Sequence, residues 1–97
     1  ILFRRCGDLP AAQKALGMML IESGMNHRAS DVLRKLVSKR PNDAIANLLL
    51  AIALFHDGKH AASEKIIRKA LERRPKSQLL RNNFERVQDG IPPSTEL

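Results

Sequence analysis

The sequence predicts an all-α fold, a short solenoid of stacked helical hairpins. Three observations carry that prediction. The chain overlays itself without a gap when it is shifted by 34 residues. Within each copy, apolar residues recur at helical spacing. Gly and Pro fall at the same two places in each copy, where a helix must turn or stop.

The overlay is specific in its detail. Gly24 falls on Gly58 and Pro41 on Pro75. Leu16 meets Leu50, Leu20 meets Leu54, and Leu33 meets Ile67. Ala12 meets Ala46 and Ala29 meets Ser63, while Arg34, Lys35 and Arg40 meet Arg68, Lys69 and Arg74.

Each element follows from local chemistry. Subtracting the period from Leu36, Val37, Pro41 and Asn42 gives Leu2, Phe3, Gly7 and Asp8. Residues 1–6 are therefore read as the end of a preceding repeat's second helix. A helix is expected from Pro10 to Glu22, with a turn at Ser23-Gly24. A second runs from Asn26 to Lys39 and is ended by Pro41, which cannot continue a helix. In the next copy, Asn42 or Asp43 can cap a helix from Ala44 to His56, because a short side-chain oxygen accepts a free backbone N–H. That helix is apolar almost throughout, as expected for one touched on most sides. Asp57-Gly58-Lys59 breaks it, since Gly can take a left-handed backbone. The helix from His60 to Arg73 carries Ile66, Ile67, Ala70 and Leu71 on one face and Lys and Arg on the other, and Pro75 follows it.

A last helix is expected from Gln78 to Gln88. Leu79, Leu80, Phe84 and Val87 face the stack and polar residues cover the other side, as a terminal cap requires. Gly90-Ile91-Pro92-Pro93-Ser94 ends it. The chain thus divides into 1–6, repeats at 10–43 and 44–77, a capping helix at 78–89, and a flexible tail at 90–97.

The period and the paired helices resemble the tetratricopeptide repeat family, whose pattern is W-x2-L-G-x2-Y, then A-x3-F, then P. The first copy offers Gln13-x2-Leu16-Gly17-x2-Leu20, then Ala29-x3-Leu33, then Pro41. The second offers Asn47-x2-Leu50-Ala51-x2-Leu54, then Ser63-x3-Ile67, then Pro75. Aliphatic or polar residues fill the aromatic slots, so the repeats are divergent.

The resemblance implies a right-handed superhelix whose first helices line a concave face. The expected groove residues are Lys14, Met18, Ile21, Ile45, Leu48, Ile52, Phe55 and His56, with Ala11 and Glu22 beside them and Leu79, Asn82 and Arg86 from the closing helix. An apolar strip of that kind implies a partner, either an amphipathic helix or an extended apolar peptide. It can also be covered by the missing N-terminal part of a longer protein, by the chain's own Pro-rich tail or by a second copy. One subclass of the family grips a peptide's terminal carboxylate with Lys and Asn. Lys14 falls in one such slot, but Met18 and Leu49 occupy the Asn slots, so that grip is not expected.

Composition bounds the alternatives. The formal net charge is +7, and Arg34, Lys35, Lys65, Arg68 and Lys69 form a candidate patch on the outer helices. Such a patch fits nucleic acid or an acidic partner. No aromatic residues interleave it for base stacking. The bland reading is a solvated face, with cations favoured late in a helix and Glu64 or Glu72 pairing locally. No apolar run approaches the roughly 20 residues that span a bilayer, and Ile1-Leu2-Phe3 is too short for a secretory signal. With one cysteine, Cys6, no intrachain disulfide forms.

Catalytic chemistry is not expected. His56 and His60 have chelating spacing, but Gly58 between them places them on different helices. Cys6 with His27 has no local support as a nucleophile pair. No Gly-rich phosphate loop occurs. The sequence therefore reads as a cytoplasmic protein–protein interaction module of adaptor, chaperone or assembly type, without cofactor or metal and part of a larger protein. Nucleic-acid or acidic-surface binding and structural self-association are the other classes.

Overall fold

The structure is a computed structural model that describes residues 9–96. Five helices follow one another among them, with no strand: α1 Pro10–Glu22, α2 Asn26–Lys39, α3 Ala44–His56, α4 His60–Arg73 and α5 Gln78–Gln88. The helix bounds are those that the Gly and Pro punctuation predicts. The reading of residues 1–6, and Cys6 with it, lies outside the described residues.

The helix ends show why the period is so regular. At Gly58 the backbone turns left-handed with φ of 81°, and Lys59 N–H donates to the Leu54 carbonyl at 2.9 Å. That bond reaches back five residues and satisfies a carbonyl the helix would otherwise leave open. Met25 to Leu20 and Ile91 to Arg86 repeat it, each at 2.8 Å. At the other ends, Asp43 Oδ1 accepts the Ala46 amide at 3.1 Å, and Ser77 Oγ accepts the Leu80 amide at 3.2 Å. Of the two expected caps, Asp43 is the one used.

Consecutive helices pack in pairs, and α1 also touches α3. First helices of successive hairpins therefore lie side by side, and the hairpins stack as a helical solenoid. The centre of the stack is α3, in which every residue from Ala46 to Phe55 is buried. One core cluster joins Ala29 and Leu33 of α2 to Leu48, Leu49, Leu50, Ile52, Ala53 and Leu54 of α3. A second joins Ala51 and Phe55 to Ile67 of α4 and Val87 of α5. Fully burying one such Leu contributes about 1.5–3 kcal/mol, so α3 is the main source of stability.

Small residues set the helix spacing. A Cβ added at Gly17 would meet the Leu33 side chain at 2.6 Å, so only Gly admits that approach of α1 to α2. Ser63 is fully buried, and its hydroxyl donates to the Ala51 carbonyl at 2.7 Å. Arginines join the hairpins at the loops: Arg73 Nη1 donates to the Pro41 carbonyl at 2.9 Å and Arg74 Nε to that of Asn42 at 2.6 Å.

Register and burial diverge in α1. Leu50 and Ala53 are buried in α3, whereas their partners by the period, Leu16 and Met19, are 43% and 63% exposed.

Candidate functional site

Where α1 and α3 lie side by side, residues 93–96 of the segment after α5 come beside them. Met18, Ile21 and Glu22 of α1 and Leu49 and Ile52 of α3 line a channel of about 190 Å³, and its remaining wall is Pro93, Ser94, Thr95 and Glu96. The floor is apolar. Met18 stands at the rim, 41% exposed.

The segment after Gly90 has no regular structure, yet it is not detached. Pro92 and Pro93 hold the residue before each of them away from helical backbone, so residues 91–96 do not start a second helix. The chain instead turns back along α5. Arg86 donates to the Pro92 carbonyl from Nε at 3.0 Å and from Nη2 at 2.8 Å. Asn83 Nδ2 donates to the Ser94 carbonyl at 3.0 Å, and Asn83 Oδ1 accepts the Ser94 amide at 2.7 Å. Pro93 is buried against this side.

Of the groove residues expected from sequence, Met18, Ile21 and Ile52 meet in the channel. Ile45 is 38% exposed but lines a separate depression beside Pro41, Asn42 and Arg74. Leu48 and Phe55 are not among the residues that line the channel; Leu48 lies in the first core cluster, as Leu49 and Ile52 also do, and Phe55 lies in the second with Val87. From α3 it is Leu49 and Ile52, not Leu48, that border the channel, although all three belong to one core cluster. His56 is exposed at the end of α3, edge-on to the Phe55 ring at 6.0 Å. His60 begins α4 and stacks on Phe55 at 4.1 Å, so the two histidines lie on different helices.

Lys14 is engaged elsewhere. Its Nζ lies 2.7 Å from Asp43 Oδ2, which ties α1 to the cap of α3. Partial burial pushes the Asp43 carboxyl up. The Lys14 ammonium and the amides of Ala46 and Ile45 outweigh that and hold it below its ordinary value. Asn82 accepts Gln78 Nε2 at 2.8 Å along the exposed side of α5.

Asn83, which holds Ser94 beside the channel, is a residue the sequence reading did not single out. It is fully buried, and its period partner is Leu49. A polar amide in a core register was the available signal, because a buried amide needs hydrogen-bond partners.

Arg34, Lys35, Lys65, Arg68 and Lys69 are all exposed on the outer helices. Among the described residues none of them forms an ion pair, and neither Glu64 nor Glu72 makes the local pairing expected of it. Arg34 and Lys35 border a shallow depression with Asp31, Ser38 and Lys39. Among the described residues no three His, Cys, Asp or Glu side chains are grouped so as to hold a metal. No helix there is long and apolar enough to cross a membrane.

Comparison with curated proteins and with solved structures gave no match. The profile of the tetratricopeptide repeat matches residues 20–82, from the end of α1 into α5. That span covers more than half of the chain and includes Gly24, Pro41, Gly58 and Pro75, the punctuation that sets the hairpins. Proteins built from such repeats are generally protein–protein interaction modules. The chain belongs to the tetratricopeptide repeat family.

Proposed function

We propose that this chain is a non-catalytic protein-binding module, working as an adaptor, chaperone or assembly factor within a larger protein. Its concave channel takes up a segment of a protein partner. The observation that supports this most is the channel between α1 and α3, with its apolar floor of Ile21, Leu49 and Ile52 and Met18 open at the rim. A thioether side chain adapts to ligands of varied shape. Lys14, committed to Asp43, is not a free cation for a peptide carboxylate.

The test is selection of binders from a random displayed peptide library on the purified chain, with Met18→Glu as the counter-screen. Peptides that bind the chain and lose binding to the variant support the channel. Binders indifferent to Met18 and released steeply by salt would instead point to the basic outer helices.

A further inference from the structure

We propose that the concave site takes a non-helical, proline-bearing peptide segment, and that residues Ile91–Glu96 are its resident occupant, which an outside segment must displace. This deepens the reading of the channel as a protein-binding site and rests on it.

The contacts are those of peptide recognition. All four hydrogen bonds between the side chains of Asn83 and Arg86 and the segment involve its backbone, at Pro92 O, Ser94 O and Ser94 N, the last donating to Asn83 Oδ1. They read a non-helical chain by a carbonyl at one residue and a paired N–H and C=O two residues on, whatever its side chains. The selective position is Pro93, which is buried. Proline suits burial there because it brings no amide donor that would need a partner.

Asn83 explains why the occupant is exchangeable. Its amide also donates to the Leu79 carbonyl at 2.9 Å, so its two N–H groups and its oxygen are all engaged while the segment is in place. When the segment leaves, the part of the amide that it covered faces water. No buried group is then left unpaired, and the exchange of one backbone for another is nearly balanced. The occupant also fits incompletely. The channel between Ser94, Thr95, Glu96 and the apolar floor stays open. A segment with a larger apolar side chain in place of Thr95 would fill it and bind more tightly.

Tethering decides the competition. A short flexible link presents its ligand at an effective concentration on the order of millimolar, so a free peptide of the same sequence competes poorly until the tether is disabled.

The experiment titrates a labelled, end-blocked peptide of residues 91–96 into the full chain and into Pro93→Asp, whose charge is expected to expel the segment, and with it that wall of the channel, while the lining from α1 and α3 and the side chains of Asn83 and Arg86 stay unsubstituted. The variant is expected to bind at least about tenfold more tightly than the unaltered chain. Adding Asn83→Leu, the residue found at this register in α3, should remove that binding. A folded Pro93→Asp that binds no better than the unaltered chain overturns the proposal. If Pro93→Asp melts without a cooperative helical transition, the isotope-labelled unaltered chain decides. Excess peptide must then shift the Ser94 amide and the Asn83 side-chain amide together. Peptide binding with Ser94 unmoved overturns the proposal. So does a dimer of the unaltered chain that Pro93→Asp dissolves, which would make the occupant a second copy's segment. Library peptides that depend on Met18 but bind both chains equally would leave the channel standing and remove only the resident-occupant reading.

Discussion

Lys14 Nζ lies 2.7 Å from the carboxylate of Asp43, so a cation on α1 holds the residue that caps α3. One aspartate thereby serves two structures, the start of the central helix and the contact between successive hairpins. Asp43→Ala removes both. A lost cap is worth about 1 kcal/mol, and a partly exposed ion pair adds up to about 1 kcal/mol. Asp43→Asn keeps a good cap and loses only the ion pair. Urea denaturation at neutral pH should rank the three chains as wild type, then Asn, then Ala, and equal midpoints for Asn and Ala would remove the cap from the account.

The same carboxylate predicts an acid response. Its pKa is held below the ordinary value of 3.8 in the folded chain. The unfolded chain therefore binds the proton more readily, and stability falls as the group protonates. The contribution is fully present above the unfolded value and is lost as pH drops through the lower, folded one. Denaturation midpoints measured downward from pH 5 should fall more steeply for wild type than for Asp43→Asn. Parallel curves would assign the acid response to other carboxylates.

The helix bounds were legible in the sequence because Gly24, Gly58, Pro41 and Pro75 punctuate it in register. The rotation of α3 was not. Ala46 to Phe55 is apolar nearly all round, so no polar stripe tells Leu48 from Leu49, and only the packed neighbours choose between them. The segment after Gly90 has no periodicity to read. Its position depends on Asn83 and Arg86, whose partners are backbone atoms that leave no mark on the sequence. The same separation of register from burial holds between Leu50 and Leu16. Leu50→Asp places an unpaired charge in the core, costs several kcal/mol by rough estimate, and should abolish cooperative unfolding. Leu16→Asp, at an exposed position of the same register, should change stability by less than about 1 kcal/mol. Circular dichroism melts of both chains check this, and a folded Leu50→Asp would break the repeat register.

Gly17→Ala tests the tight crossing of α1 and α2. Alanine favours a helix over glycine by about 1 kcal/mol. The added methyl, however, would meet three atoms of Leu33 between 2.6 and 2.9 Å. Leu33 is fully buried and has little room to move. Overpacking of this kind costs roughly 1–3 kcal/mol, so the net effect should be destabilising. The second hairpin carries Ala51 and Ile67 at the same registers. Gly17→Ala combined with Leu33→Ile copies that pair, and its loss should be smaller than the sum of the two single losses. An additive double mutant would mean that the methyl and Leu33 do not collide.

Phe55 and Met18 separate core from channel. Phe55 packs with Ile67 and Val87, and His60 stacks on it at 4.1 Å. Truncating a buried Phe costs about 3–5 kcal/mol, and a charge there costs more, so Phe55→Glu should unfold the chain or lower its melting temperature steeply. Met18 touches the channel from the rim, so Met18→Glu should leave the melting temperature within a few degrees. The same variant should weaken channel-selected peptides by about tenfold or more, because it puts an anion against their apolar face. Melting and binding must be measured on both variants. A Phe55→Glu chain that folds and loses only binding would return Phe55 to the groove. A Met18→Glu chain that unfolds would make the channel wall part of the core, and the concave face would then have no free apolar surface to offer a partner.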